Sequence, residues 1–307
     1  MNAITLPVSA AAASDDAGRS LTAAVAAPVA PPVDPALLAA QKAQMAAMAR
    51  AQRLRLMTRV AAPVLGFAVF LLVWQAVAHS GDKQLPGPAA VWEAAVKLFS
   101  DPFYVNGPND QGIGWNVLSS LQRVGVGFGL AALVGIPLGF LIGRFAFFNQ
   151  MLDPIISLLR PVSPLAWLPI GLMVFKAANP AAIWTIFICS IWPMVINTAV
   201  GVRQVPQDYL NVARVLNLSE LTIMRKILFP AVLPYMLTGI RLAVGTAWLV
   251  IVAAEMLTGG QGIGFWLWDE WNNLNVAHIL IAIFVIGGVG LALEALLVSI
   301  ARRFDYA

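Results

Sequence analysis

Four charged residues stand within long apolar stretches of this sequence and could act on an ion. They are Arg123, Arg241, Glu255 and Glu294. A charge in such a setting is costly, so it usually faces a water-filled cavity or an opposite charge. We interpret Arg123, Arg241 and Glu255 as a candidate anion pathway. The alternative to a place in this pathway is a structural role, in which Arg123 pairs with Glu255. Arg241 either pairs with Glu294 or Glu255, or extends to the membrane surface.

The other reactive residue types form no catalytic or metal-binding set. The sequence has one cysteine, Cys189, and two histidines, His79 and His278, which lie at the ends of apolar stretches. Covalent catalysis needs a nucleophile beside a base, and zinc sites need several cysteines or histidines at short spacing. The sequence also has no Gly-x-x-x-x-Gly-Lys-[Ser/Thr] phosphate loop. We therefore expect a non-catalytic chain with no metal and no cofactor of its own.

The elements that hold the charged residues are membrane helices. Of the 307 residues, 60% are hydrophobic and 11% are charged, whereas soluble domains have about 45–50% apolar and about 25% charged residues. The apolar residues fall in stretches near or above the ~20 residues that cross a bilayer. The sequence predicts an all-α membrane protein with six transmembrane helices, at about 60–79, 116–143, 162–176, 180–202, 231–257 and 278–301.

Arginine and lysine are concentrated on one side of the predicted spans. That side holds Arg50, Arg53, Arg55, Arg59, Arg144, Arg160, Arg203, Arg214, Arg225, Lys226, Arg302 and Arg303, and the other holds Lys83, Lys97 and Lys176. The basic side of a membrane protein is cytoplasmic. We predict a multi-pass protein of the bacterial inner membrane with both termini in the cytoplasm. The net charge of +4 is therefore explained by basic residues that flank the membrane spans, and it does not indicate a nucleic-acid partner.

The chain divides into residues 1–57 and 58–307. The first part is predicted to be a cytoplasmic tail, disordered at first and then a basic amphipathic helix on the membrane surface at 36–57. A solvated helical extension of the first span is the alternative. The second part is the transmembrane domain. In its second span Gly125 and Gly129, and likewise Gly135, Gly139 and Gly143, have the spacing that lets membrane helices approach closely.

Residues 203–230 predict a helix–turn–helix between two spans. Pro206 suits the first turn of a helix, Asn217 suits a left-handed helix end, and Ser219 suits the cap of a second helix that runs to Pro230. A soluble partner could grip such an element. A DNA-binding role is disfavoured because both ends enter the membrane within a few residues.

This loop resembles that of importer permeases of the ATP-binding-cassette class. Their pattern is Glu-Ala-Ala, three residues, Gly, nine residues, Ile, any residue, Leu, Pro. This sequence keeps the spacing with Asn211, Val212, Ala213, Asn217, Ile227, Phe229 and Pro230; only Ala213, Ile227 and Pro230 match by type. Residues 206–216 resemble the version in nitrate permeases. Residues 165–169, 239–243 and 247–256 resemble the wider nitrate, sulfonate and taurine group.

The resemblance implies the fold of a type I importer permease and a set of partners. Asn211, Val212, Ala213, Asn217, Ile227 and Pro230 would form a coupling loop that docks on ATPase subunits, which bind ATP, with Ala213 as a small contact. Further expected partners are an extracytoplasmic binding protein, a second copy of this permease and membrane lipid. The expected substrate is nitrate or nitrite, with bicarbonate, cyanate, sulfonates or taurine as alternatives. A secondary transporter or channel, which needs no such loop, is the main rival.

Overall fold

A computed structural model describes residues 35–80, 85–107 and 110–303. Within these ranges the chain is helical and contains no strand, only an isolated bridge between Val105 and Gln111. The helices are α1 (Pro35–Ser80), α2 (Pro88–Leu98), α3 (Ile113–Arg144), α4 (Ala146–Leu159), α5 (Pro164–Phe175), α6 (Ala178–Gln204), α7 (Gln207–Val215), α8 (Glu220–Ile223), α9 (Phe229–Thr258), α10 (Ile263–Asn272) and α11 (Val276–Ala301). A π-helical turn, Met224–Leu228, joins α8 to α9.

Five apolar segments of the described chain are long enough to cross a membrane. They are Met57–Ser80 within α1, α3, α6, the continuous stretch Glu220–Thr258, and α11. An α-helix rises about 1.5 Å per residue, so about 20 residues cross the hydrocarbon core. The prediction of an all-α membrane fold is therefore confirmed, and these segments match five of the predicted spans.

The third predicted span, residues 162–176, has a different form. Its helix α5 has 12 residues, which give a length of about 18 Å and cannot cross alone. Helix α4, which the sequence analysis left in a loop, precedes it, and the two axes are bent by 100°. Pro161 lies at the break, and proline disfavours a continuing helix. Counted as one span, the bent pair α4–α5 is the sixth.

Helices α3, α6 and α9 pack together and form the core that holds the candidate residues. The predicted close packing of α3 is confirmed for the glycines that face α6. A Cβ at Gly139 would lie 2.6 Å from Thr198 Cβ, and one at Gly143 would lie 2.6 Å from Val202 Cβ. Gly125 and Gly129 have no such neighbour within 4 Å in the described chain. Gly139 and Gly143 therefore allow α3 and α6 to approach closely.

The described part of the chain falls into two compact units, which divide after Ala68. In the first unit, the described part is the beginning of α1, which covers the predicted membrane-surface helix at residues 36–57. Helix α1 runs without interruption from Pro35 to Ser80, and the choice between a membrane-surface helix and a solvated helical extension stays a prediction. The predicted disordered tail before α1 lies outside the described residues, and the division at residue 57 stays a prediction.

Candidate functional site

The loop between α6 and α9 folds as the helix–turn–helix that the sequence predicts, and we call it the α7–α8 element. Helix α7 ends at Val215, and two residues later Asn217 has a left-handed φ of 49°. The N–H of Leu218 bonds to the carbonyl of Ala213 at 3.0 Å, as in a Schellman motif. Ser219 then caps α8 by accepting the N–H of Thr222 at 3.4 Å. These bonds fix the angle between the two short helices.

Ala213 is buried inside this element and is not a surface contact. Its exposed fraction is 0%, and it lies in a cluster with Leu210, Ile223 and Leu228. This corrects the expectation that Ala213 touches a partner: a small residue is needed because α7 packs closely on its own chain. The exposed surface of the element combines polar and charged residues, among them Asp208 and Arg214, with large apolar side chains, which are Tyr209, Val212, Val215, Leu216 and Leu221.

The second helix of the element does not end at Pro230, as predicted, but continues into α9. The chain is helical from Glu220 to Thr258, with the π turn Met224–Leu228 just before Pro230. Proline would break a regular α-helix because it lacks an N–H donor. A π turn shifts the hydrogen-bond register, so nearby backbone groups find other partners. The α7–α8 element is therefore continuous with α9.

A second attachment joins the element to α3. Arg144, at the end of α3, donates from Nη2 and Nε to the two carboxylate oxygens of Glu220 at 2.9 and 3.1 Å. A two-bond arginine–carboxylate contact fixes geometry better than a single bond. The rings of Phe140 and Phe229 stack beside it, with centroids 6.3 Å apart. The α7–α8 element is thus held by two core helices at once.

At the other end of α9, Glu255 is the centre of a buried polar cluster. Its side chain is 2% exposed. It accepts hydrogen bonds from Arg123 Nη1 at 2.7 Å, from Ser120 Oγ at 2.8 Å and from the N–H of Gly264 at 3.0 Å. A Cβ at Gly262 would overlap the Glu255 carboxyl group, so glycine is required there. The cluster fixes the turn after α9 against α3.

Arg123 forms the ion pair with Glu255 that the sequence analysis gave as an alternative. Its Nη1 also donates to the carbonyl of Gln261 at 2.5 Å, and its Nε donates to Asn179 Oδ1 at 2.7 Å. The residue lines a polar cavity of about 190 Å³ with Asn179 and Gln261. The pair balances the charge of Glu255. A place for Arg123 in an anion pathway stays a prediction.

Arg241 and Glu294 line one cavity of about 450 Å³ between α9 and α11. Among the described contacts they form no ion pair within 4.0 Å, so the predicted Arg241–Glu294 pair is not formed. The other predicted partner, Glu255, is taken by Arg123. The role of Arg241 in an anion pathway also stays a prediction, since a carboxylate shares its cavity.

A third arginine, Arg160, lines a cavity beside the core helices and was not among the candidate site residues. The distribution of basic residues predicted Arg160 on the basic side of the membrane, but it lies beside the central parts of α6 and α9. There it lines a cavity of about 340 Å³ with Cys189, Trp192, Asn197 and Thr246. Pro161, directly after Arg160, was the signal in the sequence that could have indicated this position. Proline interrupts a helix, and a span with an interrupted helix usually lines a cavity or is buried in protein.

More than half of the chain matches a known protein family. The family described as "Binding-protein-dependent transport system inner membrane component" matches residues 135–306, which include the α7–α8 element, the π turn and Glu255. This chain belongs to that family. The expected importer-permease class is confirmed, the rival class of secondary transporter or channel is excluded, and the chain is a multi-pass inner-membrane protein.

Several curated relatives of this permease are similar over most of their length. It is 50% identical over 236 residues to the nitrate import permease protein NrtB of Synechocystis sp., covering 77% of this chain and 86% of the relative. It is 51% identical over 239 residues to NrtB of Leptolyngbya laminosa, covering 78% and 85%. It is 45% identical over 243 residues to the bicarbonate transport system permease protein CmpB of Synechococcus elongatus, covering 78% and 87%.

Among solved structures, the permease is similar to a chain of the MetNI methionine ABC transporter in inward-facing conformations. The TM-score is 0.47 at 18% identity, over 59% of this chain and 94% of that chain.

Proposed function

We propose that this permease imports nitrate into the cytoplasm, using energy from partner ATPase subunits. The observation that carries the proposal is its 50% identity to a nitrate import permease over 77% of the chain. The charges of the membrane region are compatible with this substrate. A small monovalent anion needs a passage that attracts it without holding it tightly.

The α7–α8 element is the proposed ATPase-coupling loop. Its exposed apolar side chains, with Val215 at 82% and Leu221 at 75% exposure, suit a hydrophobic groove on a partner, as in other helix-in-groove contacts. Its continuity with α9 and its ion pair with α3 give closure of the ATPase a route to two core helices. Of the residues expected at this contact, Val212 is exposed, whereas Ala213 supports it from within.

The proposed orientation places the α7–α8 element and both termini in the cytoplasm. The turn between α9 and α10, which Arg123 and Glu255 hold, then faces the outside, where a binding protein would deliver the anion. Two copies of the permease would enclose the pathway. Reporter fusions near residues 100 and 268 should give an outside signal, and fusions near residues 150 and 215 a cytoplasmic signal. The reverse result at residue 215 would refute the coupling role.

Bicarbonate is the second candidate substrate, because a bicarbonate permease is 47% identical over 235 residues. Nitrate and bicarbonate are both small monovalent anions, so the charges of the membrane region do not separate them. Selection between them is expected to rest with the binding protein.

Uptake by the reconstituted complex tests the substrate. The permease, its ATPase and its own binding protein are placed in liposomes, and uptake of labelled nitrate, nitrite, bicarbonate, cyanate and taurine is compared, together with ATP hydrolysis. We expect nitrate to enter and to stimulate hydrolysis. If bicarbonate or taurine does both and nitrate does neither, the nitrate assignment is wrong, whereas the permease class is unaffected. Complexes without binding protein serve as the control.

A further inference from the structure

We propose that Arg160 forms an anion subsite in the middle of the membrane, on the path of the transported ion. The proposal rests on the proposed function, since it assumes that the substrate is an anion. It starts from the cavity of about 340 Å³ that Arg160 lines with Cys189, Trp192, Asn197 and Thr246.

The depth of this cavity follows from the helices that line it. Cys189 and Trp192 lie in the central part of α6, and Thr246 lies in the central part of α9. The two helices cross here, where Ser190 Oγ lies 3.5 Å from the carbonyl oxygen of Ala243. Arg160 reaches this level because the 100° bend between α4 and α5 interrupts its span. An ionisable residue at this depth indicates a substrate or ion pathway.

The charge balance separates Arg160 from the other membrane arginines. Arg123 is paired with Glu255 at 2.7 Å, and Arg241 shares its cavity with Glu294. The lining of the Arg160 cavity contains no carboxylate, and the described chain gives the Arg160 guanidinium no ion pair. Its positive charge is therefore available to an anion.

The remaining polar groups of the cavity are consistent with weak binding. Asn197 Nδ2 already donates to the carbonyl of Pro193 at 2.8 Å, and Thr246 Oγ1 donates to the carbonyl of Leu242 at 2.9 Å. Arg160 is the one charged residue in the lining of this cavity. Since a water molecule occupies about 30 Å³ in the liquid, the cavity of about 340 Å³ has room for a small inorganic anion together with several waters. Such an ion is attracted but can leave, as conduction requires. The geometry also fits the general position of transporter sites at discontinuous helices.

Charge replacement at Arg160 tests the subsite in the complete reconstituted complex. We expect Arg160→Gln to lower anion uptake at least tenfold and Arg160→Lys to retain more uptake than Arg160→Gln. Binding of the loaded binding protein should be unchanged in both. Arg302→Gln, at the exposed end of α11, is the matched control and should transport normally. Normal uptake by Arg160→Gln, or equal loss in the Lys and Gln variants, would overturn the proposal.

A charge-rescue experiment distinguishes a subsite from a structural role. The sequence has one cysteine, Cys189, so Cys189→Ser gives a cysteine-free background for Arg160→Cys. Because Cys189 lines the same cavity, uptake by Cys189→Ser alone is measured first and serves as the reference for the labelled variants. After assembly, a methanethiosulfonate reagent that adds an ammonium group should restore part of the uptake. A reagent that adds a sulfonate should not. Equal effects of both reagents, or failure of the neutral variants to assemble with the ATPase, would assign Arg160 a structural role and refute the subsite.

The substrate proposal and the subsite can fail separately. Uptake by the wild-type complex first identifies the imported ion, and the Arg160 variants are then compared with that ion. Import of bicarbonate in place of nitrate would refute the nitrate assignment alone. Import of nitrate with no effect at Arg160 would refute the subsite alone.

Discussion

Removing either partner of the Arg123–Glu255 pair should destabilise the permease strongly. In Arg123→Gln the carboxylate of Glu255, 2% exposed, loses its paired cation and keeps only neutral donors from Ser120 and Gly264. An uncompensated buried charge costs about 3–5 kcal/mol. Glu255→Gln should cost about 3 kcal/mol, at the lower end of the range for breaking a buried pair, because Arg123 keeps its bonds to Gln261 and Asn179.

A double-mutant cycle measures the interaction itself. The variant with both substitutions has no unpaired buried charge, so its loss should be smaller than the sum of the single losses, by about 2–3 kcal/mol. The free energy of unfolding is measured by SDS titration in detergent micelles for wild type and the three variants. Glu93→Gln is the matched control, because Glu93 is exposed on α2, lies outside the apolar segments and has no ion pair among the described contacts; its effect should stay within about 0.5 kcal/mol. If the single losses simply add, or if each is below about 1 kcal/mol, Arg123 and Glu255 do not stabilise the chain as a pair.

Three further substitutions test coupling, packing and the second arginine. Val215→Glu, on the exposed side of the α7–α8 element, should lower substrate-stimulated ATP hydrolysis at least tenfold in the reconstituted complex. Asn217→Gly is the control and should be tolerated, because glycine suits a left-handed turn. Normal hydrolysis in Val215→Glu would show that the ATPase docks elsewhere. Gly139→Leu should prevent stable folding, judged by gel filtration in detergent, because even its Cβ would lie 2.6 Å from Thr198 Cβ. Gly129→Leu, with open space around the added Cβ, is the control, and equal behaviour of the two would contradict the α3–α6 packing. Arg241→Gln should reduce nitrate uptake without releasing the ATPase, and unchanged uptake would remove Arg241 from the pathway.

The local structure of the α7–α8 element was predictable because its signals act over a few residues. Asn217 at a left-handed helix end and Ser219 at a cap depend on hydrogen bonds to backbone groups within five positions. The burial of Ala213 was not predictable in this way. It depends on Phe140 and Val202, which pack against the element from two other helices.

Hydropathy and charge by themselves determined that the chain is an all-α membrane protein. A stretch of about 20 apolar residues can cross a bilayer, and as a helix it satisfies its backbone hydrogen bonds internally there. The loop spacing pointed to the permease class, and opposite charges in the membrane region suggested the Arg123–Glu255 pair. Only the tertiary structure decided which groups surround each of the other two arginines. Arg241 and Arg160 carry the same charge in the sequence, but one shares a cavity with Glu294. The other is carried by a bent helix pair into a cavity without a carboxylate. That difference arises from contacts between residues far apart in the chain, which the order of residues does not reveal.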